Sequence, residues 1–342
     1  MRTPILIAFV VAFVVGCGTN TGQPILDEGT PLRIGLYEVG GGWLIYTSNP
    51  PVDSGRPVRL AARRLSDGAE TEIEADWRGS ALAFDGRRAV FAVPDPASPG
   101  SAIVLYDPAN GDRQVIATGR GVSLGVSGNY VVWEDAAPGG GSAIALLDTV
   151  TGQTRYLGLD DRPSGEIDES PRIEGDTAAW LRRTPASGEY RLMVHDRVAN
   201  RTTATDVTAP NRLVFDVSDG RIAYRPAGGD EIFVYDVRAQ SVTRIAEAPH
   251  AVDGPVIRGD VVLWSTGRDP ARFRGVRGQP LLGPEDFRTV HKHNLATGRT
   301  TVAVREQFGV RRLRSDEQGR VYATVSLRTS ATADTPVALR RW

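Results

Sequence analysis

Five carboxylates crowd the stretch LDDRPSGEIDES, at Asp160, Asp161, Glu166, Asp168 and Glu169. Oxygens at 166, 168 and 169 could coordinate calcium, but they lack the fixed spacing and turn glycine of a calcium loop, so the stretch is read as a solvated acidic loop available to a partner. A second stretch, STGRDPARFRGVRGQPLLGPEDFR, sets Arg268, Arg272, Arg274 and Arg277 around Phe273. Planar guanidinium forks at this density could grip phosphate, a lipid headgroup or an acidic polysaccharide; the opposing reading is a solvated excursion. His291 and His293 alternate, so in a strand they share one face and with a carboxylate could hold a metal, although an outward-facing polar strand also explains them. His195 and His250 stand apart in sequence. There is no P-loop, HExxH pair or dinucleotide-binding glycine pattern, and no catalytic residue, metal or cofactor is assigned.

Charge narrows the class of partner. The 40 Lys and Arg balance 41 Asp and Glu, a formal net charge of -1. That gives no field to draw in nucleic acid, which is not an expected partner. Lys292 is the only lysine, a bias that a GC-rich genome explains. Cys17 is the only cysteine, which excludes an internal disulfide and a thiol metal cluster.

Loops of this kind need a scaffold, and the chain repeats one. Glycine, a few residues and a β-rich segment ending in an aromatic recur as GGWLIY, GRRAVF, GNYVVW, GDTAAW, GRIAY, GDVVLW and GRVY. The closing aromatics are Tyr46, Phe91, Trp133, Trp180, Tyr224, Trp264 and Tyr322, 40 to 47 residues apart with one interval of 58. Segments such as AIVLYDPANGDRQVI, AIALLDTVTGQTRYL and EIFVYDVRAQSVTRI follow the aromatics, each a hairpin with Asp and small turn residues at its centre. Four short strands per 40 to 45 residues is the period of a propeller blade. The expected fold is all-β: a seven-bladed β-propeller of four-stranded antiparallel blades over 32–342. The last unit stops at VALRRW after three strands, and QPILDEG at 23–29 is expected to supply the fourth, closing the ring by pairing the N- and C-terminal strands. SDEQGRVY at 315–322 reads as a blade hairpin.

The repeats resemble the TolB-like, WD-related propellers of bacterial envelope proteins through FDG at 84–86, SDG at 218–220, LYD at 105–107 and TGQT at 151–154. The resemblance implies the fold; TolB's extra domain has no room here, so its partnership does not transfer. Within a blade the first and third turns lie at one end, and the second turns and blade connections at the other. The second set is long, as in TSNPPVDSGRP, EDAAPGGGS and RRTPASGE, and rigidly presented loops are where binding concentrates.

The N-terminus supplies an address. Arg2 precedes PILIAFVVAFVV, an apolar run about a dozen residues long. At 1.5 Å per residue a helix of this length spans less than ~20 Å, too short for a bilayer core of ~30 Å and suited to a signal-peptide h-region. VVGC at its end resembles the lipobox of bacterial lipoproteins, which implies a signal peptide at 1–16, palmitate-type lipidation of Cys17, and a tether at 17–31. The expected protein is thus lipid-anchored at the cell membrane or outer membrane and faces away from the cytoplasm. There it serves as a binding or scaffold module for a protein or glycan partner through its long-loop face. The alternative is a carbohydrate-active hydrolase or lyase with acidic residues in the central channel.

Overall fold

A computed structural model of the chain describes residues 23–24, 33–50, 55–95, 97, 100–121, 123–138, 140–160, 162–249, 251–267, 288–306, 310–326 and 337–341. Cys17, Asp161, His250, Arg268, Arg272, Phe273, Arg274 and Arg277 lie outside the described residues. Every regular element among the described residues is a strand, and among them no helix is long and apolar enough to cross a membrane.

The strands group as the glycine–aromatic repeat requires. β1 (Gln23–Pro24) precedes blade 1, which is β2 (Arg33–Gly40), β3 (Trp43–Asn49), β4 (Arg59–Arg64) and β5 (Glu70–Glu74). Blade 2 is β6 (Leu82–Phe84), β7 (Ala89–Pro94), β8 (Ser101–Tyr106) and β9 (Arg113–Gly119). Blade 3 is β10 (Leu124–Ser127), β11 (Tyr130–Ala136), β12 (Ser142–Asp148) and β13 (Gln153–Leu157). Blade 4 is β14 (Ile167–Glu174), β15 (Thr177–Arg183), β16 (Tyr190–Asp196) and β17 (Arg201–Ala209). Blade 5 is β18 (Leu213–Ser218), β19 (Arg221–Pro226), β20 (Glu231–Asp236) and β21 (Ser241–Glu247). Blade 6 is β22 (Ala251–Arg258), β23 (Val261–Thr266), β24 (Arg288–Asn294) and β25 (Arg299–Glu306). Blade 7 is β26 (Val310–Ser315), β27 (Val321–Ser326) and β28 (Val337–Arg341), and β1 completes it. The β1–β28 pairing is antiparallel, with Gln23 opposite Arg341 and Pro24 opposite Arg340, so the ring closes through the chain ends as expected. Each first strand packs on the first strands of the blades either side, around to β2 against β26.

Turn chemistry explains the spacing. The repeat glycine of every blade, from Gly42 and Gly86 to Gly319, sits in the first hairpin with positive φ, a conformation that costs a glycine nothing and suits the twist of tight hairpins. In the second hairpins Asp107, Asp148, Asp196, Asp236 and Asn294 each turn a side-chain oxygen onto a backbone N–H two or three residues ahead. The first hairpins also latch to one another. The N–H groups of Gly128, Gly175 and Gly259 donate to Asp85, Ser127 and Ser218 of the preceding blade at 2.8, 2.9 and 2.9 Å. Gly41 N–H donates to Glu317 at 3.1 Å, carrying the same latch across the closure.

The core lies between blades. The buried apolar clusters each join two neighbouring blades; one unites Tyr37, Leu44 and Tyr46 of blade 1 with Tyr322 and Leu339 of blade 7. Phe91, Trp133, Trp180, Tyr224 and Trp264 all face the preceding blade. Tyr322 breaks the phase that the repeat predicts. Ala323 faces blade 6, and Tyr322, one position earlier, turns to blade 1, where it fills the closing interface.

Candidate functional site

The acidic stretch is a solvated loop only in its first part, where Asp160 is exposed. From Ile167 it is strand β14, and Asp168 is 0% exposed. Its Oδ1 accepts the indole N–H of Trp180 at 3.0 Å and the Arg182 Nε–H at 2.7 Å, while Oδ2 accepts from Arg182 Nη2 at 3.0 Å. The guanidinium then reaches the Gly158 carbonyl at 2.8 Å and has Glu166 at 3.7 Å. Glu166 accepts from the Thr184 hydroxyl, and Glu169 pairs with Arg212 at 3.3 Å. Only Asp160 of the described members stands exposed. The correction has a simple cause: composition registers the carboxylates, whereas their partners Trp180 and Arg182 come from the adjacent strand.

The histidines are corrected as well. His293 is 6% exposed, with Nδ1 2.8 Å from the Thr300 hydroxyl. His291 is half-buried, stacks on Trp264 and sits 3.0 Å from the Thr266 hydroxyl, so the strand that bears both is packed, not outward-facing. His195 repeats the arrangement in blade 4, buried with Nδ1 3.1 Å from Thr202. Burial, assisted by the neighbouring Arg155, lowers its pKa to about 4, so the ring is neutral near pH 7. His195 and His293 stand just before the turn Asp196 or Asn294, where blades 2 and 5 place Tyr106 and Tyr235. They are packing groups.

What sequence reading missed is the axis of the ring. Register puts one residue per blade in a common layer, opposite the residue that precedes the aromatic slot. These are Glu38, Ala83, Gly125, Arg172, Asp216, Val256 and Arg314. A first strand has no hydrogen-bonded neighbour on its channel side, so half of its backbone groups need other partners. Arginines supply some of them by curling back onto the preceding carbonyl: Arg172 Nη1 to Pro171 at 3.0 Å, Arg258 Nη1 to Ile257 at 2.6 Å and Arg314 Nη1 to Leu313 at 2.8 Å. Carboxylates take the N–H groups: Asp216 accepts from Ile257 at 3.0 Å, and Asp253 from Leu313 at 2.8 Å. Asp216 also pairs with Arg258 at 2.9 Å and Glu38 with Arg314 at 2.8 Å.

Bulges aim these groups. Register slips between Glu169 and Arg172, Asp253 and Val256, and Arg311 and Arg314, with Ser170, Gly254 and Arg312 at positive φ. For Ser170 and Arg312, non-glycine residues in that region store strain of order 1–3 kcal/mol, a cost met by the surrounding ring. The sequence signal that could have found the site is the match between SPRIEGD and GPVIRGD at 170–176 and 254–260, which marks the two bulged strands.

Glu174, two residues past Arg172, is the one axial carboxylate whose titration moves to neutrality. Burial raises its pKa to about 7 against the attraction of Arg258 and a hydrogen bond with Ser218, and its Oε2 is buried without a hydrogen-bond partner. Because the folded pKa lies above the unfolded one, the folded state holds more protons between about pH 4.5 and 7, and stability is lost as pH rises through that window. Glu174→Gln, which mimics the protonated form, is therefore expected to match wild type near pH 5 and to exceed it by about 1–2 kcal/mol at pH 8. Urea unfolding at both pH values measures this; an identical difference at each would remove the assignment.

No protein-family model matches the chain, and no curated protein matches it. Solved structures do. The β-propeller domain of the Trilobed protease from Pyrococcus furiosus, described as having an open velcro topology, aligns at 13% identity over 91% of this chain and 95% of its own, with a TM-score of 0.62. A prolyl endopeptidase aligns at 14% identity and a TM-score of 0.63 over 86% of this chain; the chain spans 45% of the endopeptidase. TolB from Acinetobacter baumannii aligns at 16% identity over 76% of this chain and 63% of its own with a TM-score of 0.47, too low to add to the assignment. Together with the strand order, the first two likenesses establish a seven-bladed β-propeller, the fold shared with propeller domains of peptidases.

Proposed function

We propose that the chain is a lipid-anchored, extracytoplasmic propeller that binds a protein or glycan partner through its long-loop face. The observation that supports binding over turnover is the pairing of charge at the axis. Glu38 and Asp216 are each held by an arginine and Asp253 by the Leu313 N–H, and Glu174 is the axial carboxylate that burial gives acid–base character near neutral pH. A carbohydrate hydrolase or lyase in the channel would have to work from that single group, since general acid–base chemistry on a glycosidic bond ordinarily divides two roles between two carboxylates. Among the described residues no three His, Cys, Asp or Glu side chains gather around a common ion position. The anchor rests on the apolar run and VVGC before Cys17, and it would hold the propeller within a short tether of a membrane.

The test combines two readouts in intact cells of a lipoprotein-processing bacterium. A palmitate analogue is expected to label wild type and not Cys17→Ser; labelling that persists in the variant refutes the anchor. A photo-crosslinker placed in the loop at 185–188 is expected to trap one discrete partner. Repeated recovery of the propeller alone refutes the binding role.

A further inference from the structure

The three axial arginines share one conformation but not one fate. Each turns Nη1 onto the carbonyl before it, at Pro171, Ile257 and Leu313. Arg258 then meets Asp216 and Arg314 meets Glu38. Arg172 meets no carboxylate within ion-pair distance among the described residues, although it remains exposed to the water of the channel. Its surroundings locate it: the charges it feels are Asp216 of blade 5, Glu38 of blade 1, Arg314 of blade 7 and Arg212 at the entrance to blade 5. Only a guanidinium reaching toward the axis senses blades on opposite sides of the ring.

The backbone beside Arg172 has the same vacancy. Glu174 and Thr177 close a two-residue hairpin, so the next pair, Ile173 and Ala178, is not hydrogen-bonded, and Ile173 directs its N–H to the channel as Ile257 does in blade 6. In blade 6 that N–H is taken by Asp216 of the preceding blade. In blade 4 the matching residue of the preceding blade is Gly125, which has no side chain to offer. A Cβ there would already touch Ile173 N at 3.2 Å. Blades 5 and 6 therefore hold an internal carboxylate between a backbone N–H and an arginine; blades 3 and 4 present the same N–H without that carboxylate, and their arginine, Arg172, precedes Ile173, whereas Arg258 follows Ile257 at the position that Glu174 takes in blade 4.

We propose that this niche is an oxyanion site: the carboxylate or phosphate group of a small ligand binds Arg172 and the Ile173 N–H, in the place that Asp216 fills one sector further round. The Arg172 Nε and Nη2 donors suit a two-oxygen acceptor, and the planar fork gives the geometry for a bidentate grip. Glu38 and Asp216 do not oppose it strongly, because each is neutralised by its own arginine, and Glu174, beside Ile173, is held neutral by burial below about pH 7, so the anion binds more tightly at pH 6 than at pH 8. The site is separate from the long-loop face, so it stands whether or not that face binds a partner.

The test is calorimetric titration of the full chain in detergent with inorganic phosphate and, separately, with malonate, at constant ionic strength. Saturable binding of phosphate alone identifies a phosphate ligand, and of malonate alone a carboxylate ligand. Arg172→Gln should weaken binding at least tenfold, while Arg87→Gln, an exposed arginine of the first hairpin of blade 2, should leave it unchanged. If Arg172→Gln does not fold, Arg172→Lys decides: charge without the planar fork should bind at least threefold more weakly. Absence of saturation with both probes overturns the site, as does wild-type affinity in the variant that is read.

Discussion

Asp168→Ala should lower the stability of the folded chain by about 3–5 kcal/mol, because it strands the Arg182 guanidinium in a buried position without its hydrogen-bonded ion partner, leaving only Glu166 at 3.7 Å. Arg182 is 5% exposed and Asp168 0%, and two nearly parallel hydrogen bonds at 2.7 and 3.0 Å join them. The Trp180 indole N–H loses its acceptor in the same step. Asp160→Ala removes an equally charged residue of the same stretch from an exposed position and should fall within about 0.5 kcal/mol of wild type. Urea unfolding of the two variants separates the readings. Equal stability would mean that the acidic stretch is a solvated loop after all, with Asp168 free for a ligand.

Tyr322→Ala should cost about 3–5 kcal/mol, the range for emptying a buried aromatic site. Tyr322 is 0% exposed and packs with Tyr37 and Tyr46 across the closing interface. Its hydroxyl donates to Asp316 at 2.9 Å, and burial followed by that hydrogen bond pushes its pKa up to about 12. Tyr322→Phe keeps the ring and loses only the hydroxyl, so it should cost about 1–2 kcal/mol, within the range for a hydrogen bond to a charged group. A thermal scan that finds Tyr322→Ala no worse than Tyr322→Phe would show that the phenyl ring does not fasten blade 7 to blade 1.

Blade number and turn positions were legible in the sequence because both depend on short-range chemistry. A glycine with positive φ followed by an alternating strand leaves its mark within six residues, as Gly128 and Trp133 do. Closure was legible too, since VALRRW left a three-stranded blade for Gln23 and Pro24 to complete. The phase of Tyr322 was not: it pairs with Arg314 as Val132 pairs with Gly125, one position before the slot of Trp133, and successive strand residues face opposite sides, so the ring turns to blade 1. The axis was hidden more deeply. Arg172, Asp216, Arg258, Arg314 and Glu38 belong to five different repeats, and they meet only because the ring returns on itself. Bulges add a second obstacle, for a strand that gains a residue at Ser170–Pro171 no longer presents its side chains in the order that strict alternation forecasts.

Closure by β1 also fixes a path for mechanical load. The chain crosses every blade junction, the last from β1 in blade 7 to β2 in blade 1, and the junction between blades 7 and 1 is additionally held by the pairing of β1 with β28, the Gly41–Glu317 latch and the Tyr322 cluster. A pull on the N-terminus arrives at Gln23 and Pro24 before it reaches any other described strand. Two ladder positions would bear it first, backed at the same seam by the latch and the Tyr322 cluster, and the ring would open there while the remaining blades stayed stacked, like a clasp that yields before the bracelet does.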